Sequence, residues 1–572
     1  MVNPHFLMRT SRCRLFLKAF LFTSLCTLLW STPAFAQREH VPVDDPVYAF
    51  LKTMDVRGII HNYHYAMLPL SRDEVARFLT VVDSNRTKLS PAENEYLDDF
   101  MIEFQFELKK NDPKPNVFLN FENGIGDDFV DAFRWKRKDL YEYHDSVATL
   151  FVDGVANVSY EKRGGDTSQK VGLASLGGSV RGTIGGNFAY YALATNGSLI
   201  SGDLALAEQN PRLRSNYKLG YAEHKNFDFT EGYALYDNGW LSLELGRETT
   251  LWGTGYLDRM LLSGNAPPLD LVKLNIQYGS VKYQFIHGSR VFFPLDSTQN
   301  NRRYDTTVPA YVAMHRIEFD FLQRFRFGFS EMTVYGNQFP QIAYLNPFLF
   351  MKSAENSLQN VDKSMLGFDL EYHPIDDISA FAEILISDFS AETRGTGAEN
   401  NKTGYHGGIF YADPFGLQNV NLILEYEKLS PFMYDSRTDV NLYTNRNIPL
   451  GASIPSNSDQ LSLQAQWRPM HNLGLTGTIA YFRHGGNMYD STGALLPGGN
   501  YGGNLLDAER NANFPRFFLQ GVLTTETIIT GSVNYEPFKQ WTVGVTGQFD
   551  HYNTQGNPGK DIYAGFQLAV NY

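Results

Sequence analysis

The sequence predicts a mainly β protein, a transmembrane antiparallel β-barrel preceded by a small N-terminal α-helical bundle. Three observations carry this. The composition is aromatic-rich, glycine-rich and charge-poor, with 42 Phe, 33 Tyr, 6 Trp and 49 Gly against 19% charged residues, where soluble domains hold about 25%. From about residue 115 to the end, apolar and polar residues alternate with period two. Beyond Gln37 no run of 18 apolar residues occurs, so any membrane crossing must be made by strands, which have to close on themselves because hydrocarbon offers their amides no partner.

Residues 1–36 read as a secretory signal peptide. Arg9, Arg12, Arg14 and Lys18 precede an apolar stretch from Ala19 to Trp30, and Ala34-Phe35-Ala36 forms an A-x-A site, which predicts cleavage between Ala36 and Gln37. Both cysteines, Cys13 and Cys26, fall inside this segment, so the exported chain is expected to hold no thiol or disulfide. Leu25 stands before Cys26 where a lipoprotein site needs a small residue.

Residues 37–112 are predicted to form a helical bundle or plug at the periplasmic end. Asp45 and Pro46 start one helix and Gly58 closes it. Ser71 with Glu74, and Ser90-Pro91 with Glu93, are capping-box signals for a second and a third. A bundle of this size is marginal alone and needs a larger body to dock on.

Residues 113–572 are assigned to the barrel and its extracellular loops. Leu150, Val152, Ala156, Val158 and Tyr160 alternate with Asp153, Asn157 and Ser159. The pattern returns at Leu461 to Trp467 and at Trp541 to Phe549. Asp237-Asn238-Gly239 marks a hairpin. The last strand runs through Ile562, Ala564, Phe566, Leu568 and Val570 to Tyr572, an aromatic ending that resembles the insertion signal of outer-membrane barrels. The segment has room for about sixteen to twenty strands. Glu161 to Lys170, Asp296 to Thr307, Thr393 to Thr403 and Gly485 to Ala508 are expected as extracellular loops, where recognition would lie.

The net charge of −13 disfavours nucleic acid. G-x-S-x-G, H-E-x-x-H and P-loop motifs are absent. Asp127, Asp128 and Asp131 lack the spacing of a calcium loop, and His61 with His64 lacks a third ligand. Neither an enzyme nor a metal or other cofactor is expected.

Several ordered segments resemble the capsule assembly Wzi family of outer-membrane proteins. They are Pro69-Leu70-Ser71-Arg72, Leu89-Ser90-Pro91-Ala92-Glu93, Leu245-Gly246-Arg247-Glu248 with Trp252-Gly253-Thr254-Gly255, and Leu262-Ser263-Gly264-Asn265-Ala266-Pro267. His315-Arg316-Ile317-Glu318, Phe329-Ser330-Glu331, Tyr344-Leu345-Asn346-Pro347-Phe348 and Leu366-Gly367-Phe368-Asp369-Leu370 follow. The resemblance implies a barrel of about 18 strands with a helical bundle at the periplasmic end, acting as a lectin for capsular or extracellular polysaccharide. Outer-membrane lipid and the barrel assembly machinery would be further partners. The alternative is a porin or substrate-specific channel, and occlusion of the lumen separates the two.

A carbohydrate site needs aromatic faces beside planar hydrogen-bonding groups. Arg247, Glu248, Trp252 and Tyr256 are candidates in a glycine-rich segment, Gly246 to Asn265, that could form such a surface or fold into the lumen, with the bland alternative that Arg247 and Glu248 are paired lumen charges and Trp252 an interface girdle. Glu331 shares its parity with Phe325, Phe327 and Phe329, so a lumen role for it requires a bulge or a strand end. Asp369 falls on the lumen face, and Asn346 before Pro347 suits a turn. Arg290, Arg302, Arg303 and Arg446 are loop candidates for an acidic polymer.

Overall fold

A computed structural model describes residues 37–108, 139–165, 168–216, 218–219, 224–293, 308–321, 323–358, 362–388, 401–507 and 517–572. Ala36, Arg302, Arg303 and Asp127 to Asp131 lie outside these residues.

Eighteen antiparallel strands close into one barrel. They are β1 (Thr149–Gly165), β2 (Gln169–Ile184), β3 (Phe188–Gly202), β4 (Asn226–Asp237), β5 (Leu241–Glu248), β6 (Leu269–Tyr278), β7 (Val281–Phe292), β8 (Val308–Phe321) and β9 (Phe325–Gly336). The second half comprises β10 (Lys363–Ile375), β11 (Ile378–Asp388), β12 (Lys402–Ala412), β13 (Val420–Leu429), β14 (Ser458–Met470), β15 (Leu473–Gly486), β16 (Val522–Phe538), β17 (Trp541–Thr554) and β18 (Asn557–Asn571). β18 closes on β1, with Phe566 opposite Tyr160 and Asn571 opposite Val155. Closure leaves no edge, as a sheet in hydrocarbon requires.

The two ends differ. β6–β7, β8–β9, β10–β11, β14–β15 and β16–β17 turn tightly at one end. At the other, segments 203–225, 249–268, 337–362, 430–457 and 487–521 are long. Glu161 to Lys170, expected as a loop, is mostly strand: β1 runs to Gly165 and β2 starts at Gln169.

Alternation divides the wall as the sequence predicts. Leu461, Leu463, Trp467, Val545, Phe549, Ile562 and Phe566 are exposed on the outside, while Asp153, Ser462 and Asp550 are buried on the other parity. At Asp237-Asn238-Gly239 the Asp237 carboxylate accepts from the Gly239 amide at 2.5 Å, and Gly239 takes φ +96°, which glycine adopts without strain.

Among the described residues, three α-helices precede the barrel: α1 (Pro46–Val56), α2 (Arg72–Asp83) and α3 (Pro91–Glu103). Asp45 accepts from the Val47 amide, and Ser90 with Glu93 forms the full capping box. At α2 only half of the expected box is present. Ser71 accepts from the Glu74 amide, but the Glu74 carboxylate turns to Lys282 of β7, 3.6 Å away. Val47, Leu51, Met54, Val75, Leu79, Leu97 and Phe100 share one apolar core, against which Leu251 and Tyr256 also pack.

Candidate functional site

Chain from both ends meets inside the barrel. Met67–Leu68, between α1 and α2, pairs with Leu251–Trp252 of the β5–β6 segment. The 430–457 segment locks onto the same stretch, because the Tyr434 hydroxyl donates to the Met260 carbonyl and the Tyr443 hydroxyl to the Leu261 carbonyl, each at 2.7 Å. Trp252, Met260, Leu261, Met314, Met332, Tyr434 and Tyr443 are part of a dry core within the lumen.

Around that core several inward charges are paired with one another. Arg316 makes a two-pronged contact with Asp369, at 2.5 and 2.8 Å, and reaches Glu318 at 2.9 Å. Glu318 also holds His64 of the N-terminal segment at 2.7 Å. Arg326 bridges Asp55 and Glu371, and Glu371 also takes Lys52. Lys273 sits between Glu244, at 2.7 Å, and Glu248, while His40 lies 2.8 Å from Glu248. His406 lies 3.2 Å from Glu383 and 3.0 Å from Glu425. All of these groups are buried. Charges out of water persist only when paired and hydrogen-bonded, so the networks weld the N-terminal segment to the wall.

Among the described residues, two sets have the make-up of metal ligands, His40 with Glu244 and Glu248, and Asp55 with Glu371 and His373. Each already contains a protein cation: Lys273 in the first, Lys52 and Arg326 in the second.

The sequence-predicted residues scatter. Glu248, Trp252, Tyr256 and Asp369 point inward. Trp252 is fully buried and donates to Gln284, so it is no interface girdle. Tyr256 stacks on Tyr65 with 6.0 Å between ring centroids. Arg247 does not pair with Glu248. Without a bulge at Gly246 it stays on the outer wall and binds Asp270 of β6 through two contacts of 2.7 and 2.8 Å. Arg290 is not a loop residue but an inward residue of β7, buried, with its guanidinium donating to the carbonyls of Val440, Leu442 and Thr444. Glu331 keeps its strand parity and faces outward, where it accepts from the Met351 and Lys352 amides. Asn346 shapes a turn, accepting from the Phe348 amide at 3.1 Å. Arg446 donates to the Ser215 carbonyl at 3.2 Å. Gln37 is buried beside Arg181, and the Tyr572 amide donates to the Gly154 carbonyl at 2.7 Å.

Among the described residues, one face at the long-segment end, within and beside the stretch Gly485 to Ala508, carries groups suited to carbohydrate. The Tyr489 hydroxyl meets Asp507 at 2.5 Å and accepts from Asn504 at 2.9 Å, and Asn487 donates to Asp507 at 2.7 Å. Tyr489 and Phe517 are exposed, and Lys428 lies 4.0 Å over the Phe518 ring. Exposed aromatic faces beside planar amide and carboxylate groups match what a sugar's C–H faces and hydroxyls require. Individual residues were missed here because Asn, Tyr and Asp in a glycine-rich stretch look alike until the chain folds.

The sequence model of the family described as capsule assembly protein Wzi matches residues 155–555. No curated protein sequence matches the chain. Among solved structures, Wzi of Escherichia coli, described as an outer-membrane protein involved in group 1 capsule assembly and a carbohydrate-binding barrel, aligns with a TM-score of 0.54 and 12% identity. The alignment covers 93% of this chain and 99% of that one. OpdK of Pseudomonas aeruginosa and a BenF-like porin of Pseudomonas fluorescens align with TM-scores of 0.43 and 0.44, each at 10% identity over 74% of this chain and 98% and 99% of theirs. With a family match across most of the barrel, the chain belongs to the Wzi capsule assembly family.

Proposed function

We propose that this outer-membrane barrel binds a capsular or extracellular polysaccharide at its long-segment face and holds it at the cell surface without altering it chemically. The observation that carries this reading is the filled interior. A porin or substrate-specific channel needs an open path lined by charges free to meet a solute. Here Arg316, Arg326, Lys273 and His406 are each satisfied by carboxylates of the same chain, and a dry core lies across the lumen. The binding partner named for Escherichia coli Wzi supports the same choice.

In this reading residues 37–112 act as a periplasmic helical bundle that plugs the barrel, cleavage after Ala36 releases the signal peptide, and the strand ending at Tyr572 is read by the barrel assembly machinery. Lipid surrounds the wall.

The test is a strain deleted for this protein, with cell-bound, shed and total polysaccharide measured together. An unchanged total with a smaller bound share supports an anchor, and an unchanged bound share overturns it. Purified barrel in planar bilayers separates the alternative, because open-channel current would favour the porin. Incubated with purified polymer, the barrel should leave its chain length unchanged. Tyr489→Ala with Phe517→Ala should lower the bound share while the barrel still folds.

A further inference from the structure

Between β9 and β10 the chain does not extend away from the barrel. Residues 337–358 fold back onto the outer wall as a short helix, Ile342–Leu345, followed by α4 (Met351–Leu358). Tyr344, Met351 and Ala354 pack on the outward side chains Phe285, Ala313 and Tyr335 in one small core. We propose that the stretch from Phe339 to Phe350 is a membrane-inserted flap, whose outer face lies among the acyl chains of the bilayer, and that the underside of the whole segment shields a polar patch of the barrel wall from them.

The underside is polar and dry. Glu331 is 0% exposed although its parity points it away from the lumen. It caps α4 by accepting from the Met351 amide at 2.8 Å and the Lys352 amide at 2.6 Å, and His315 of β8 lies 3.0 Å away. Ser364 of β10 donates to Glu355 at 2.5 Å and meets Thr333 of β9 at 2.9 Å. A bare wall carrying Glu331, His315, Thr333 and Ser364 would place a carboxylate and several dipoles in hydrocarbon, which strongly opposes insertion.

Over residues 339–350 the outer face is the reverse, whereas the exposed positions of α4 are Ser353, Asn356, Ser357 and Leu358. Phe339, Ile342 and Phe348 are 88%, 85% and 73% exposed, and Leu345 and Phe350 are exposed beside them. Below, on the outward parity of β9 and β10, stand Phe325, Phe327, Leu370 and Tyr372, also exposed. The flap therefore continues the apolar surface of the wall. A patch of this kind marks contact with something apolar.

Depth identifies that contact as lipid. The Phe348 ring stacks on Tyr283 with centroids 5.9 Å apart, and the Tyr283 hydroxyl donates to the Pro347 carbonyl. Tyr283 lies two residues into β7, beside the tight β6–β7 turn, so the flap runs from the long-segment end to the opposite end of the wall. Irregular backbone at such a depth survives only when its polar groups are satisfied within the protein. Part of the flap's backbone is satisfied in this way: the Tyr344 and Leu345 amides return to the Gln341 carbonyl, the Leu349 amide to Asn346, the Ala354 amide to Phe350, and the Phe348 amide to the Asn346 side chain.

This inference needs the barrel in a membrane and is independent of polysaccharide binding. Both cysteines lie in residues 1–36, so a chain expressed from Gln37 accepts a single spin label without background. Labels at Ile342→Cys, Phe348→Cys and Phe339→Cys would be compared in dimyristoylphosphatidylcholine vesicles with Val545→Cys on the bare outer wall and Thr492→Cys in an exposed turn. Collision with oxygen and with a water-soluble nickel chelate gives each label's surroundings, and heat-modifiable gel migration confirms folding. The flap labels are expected to match Val545. A nickel-dominated signal like that of Thr492 would place the flap in water and overturn the proposal. Dipolar broadening between labels on neighbouring barrels would overturn it too, since the face would then belong to a second copy. Three label sites keep the test decisive if one substitution disturbs folding.

Discussion

Replacing Arg290 with Met separates the sequence's view of this residue from the structure's. If Arg290 were a surface cation for an acidic polymer, the change would reduce polymer retention and leave stability alone. In the structure its guanidinium fork is spent on three buried carbonyls, at 2.9 Å to Leu442, 2.7 Å to Thr444 and 2.7 Å to Val440, with a fourth contact of 3.1 Å to Tyr311. Methionine fills similar volume but leaves the three carbonyls without this donor, each a loss of about 1–3 kcal/mol. Relief from holding a buried charge offsets part of that. The net expectation is a loss of about 2–4 kcal/mol, roughly 30- to 1,000-fold in the unfolding equilibrium. The readout is urea unfolding of the barrel in lipid vesicles, followed by tryptophan fluorescence, together with limited proteolysis. The 439–449 stretch, which Arg290 ties to the wall, should be cut faster, and Arg290→Lys should fall between the two because an ammonium cannot reproduce the planar fork. An unchanged urea midpoint with unchanged protection of 439–449 would refute the reasoning.

Further outcomes can be checked with the same preparations. Ser90→Ala removes both the α3 cap and the 2.5 Å contact from Ser90 to Asn419 of the β12–β13 turn, and should lower the urea-derived stability by about 1–2 kcal/mol. Burial alone would raise the Glu74 pKa, but Lys282 and then His64 outweigh it and hold the carboxyl below its ordinary value. The stability Glu74 contributes is therefore present above the ordinary carboxylate range and lost as pH falls through its lowered folded value, so proteolysis of residues 37–108 should accelerate on acidification, less so in Glu74→Gln. On sequence grounds, Arg302→Ala with Arg303→Ala should reduce retention of an acidic polymer without loss of barrel folding. Unchanged retention would count against that loop.

The legible parts of this protein are those set by neighbours in the chain. Ser90-Pro91 with Glu93 closes a complete capping box because all its groups lie within four residues. The Ser71 site shows the limit of that logic: its Glu74 has a stronger partner in Lys282, over 200 positions away, and leaves the box half made. Strand parity was equally local. It placed Asp369 in the lumen and Glu331 on the outer wall, yet parity does not say what covers a wall, and the flap that makes an outward carboxylate tolerable at Glu331 lies twenty residues further on. The sequence misplaces Arg290, and leaves Trp252 open between a ligand surface, the lumen and an interface girdle, for a related reason. A charged residue near a strand end and an aromatic in a glycine-rich stretch carry the same local pattern whether they face solvent or a packed lumen.

The sequence by itself determined a two-sided sheet with no permissible edge, and hence a barrel, because alternation has a period of two and hydrocarbon leaves backbone amides no other partner. Only the tertiary structure decided that the barrel is filled. β9 holds β8 and β10 on its two sides, and Gly328 between them leaves the space in which Arg316 meets Asp369, while the N-terminal segment arrives with His64 for Glu318, 254 residues away. These interior charges are therefore met within the chain itself. Such pairings depend on strand register and on segments entering from both ends, which no periodicity in the chain encodes.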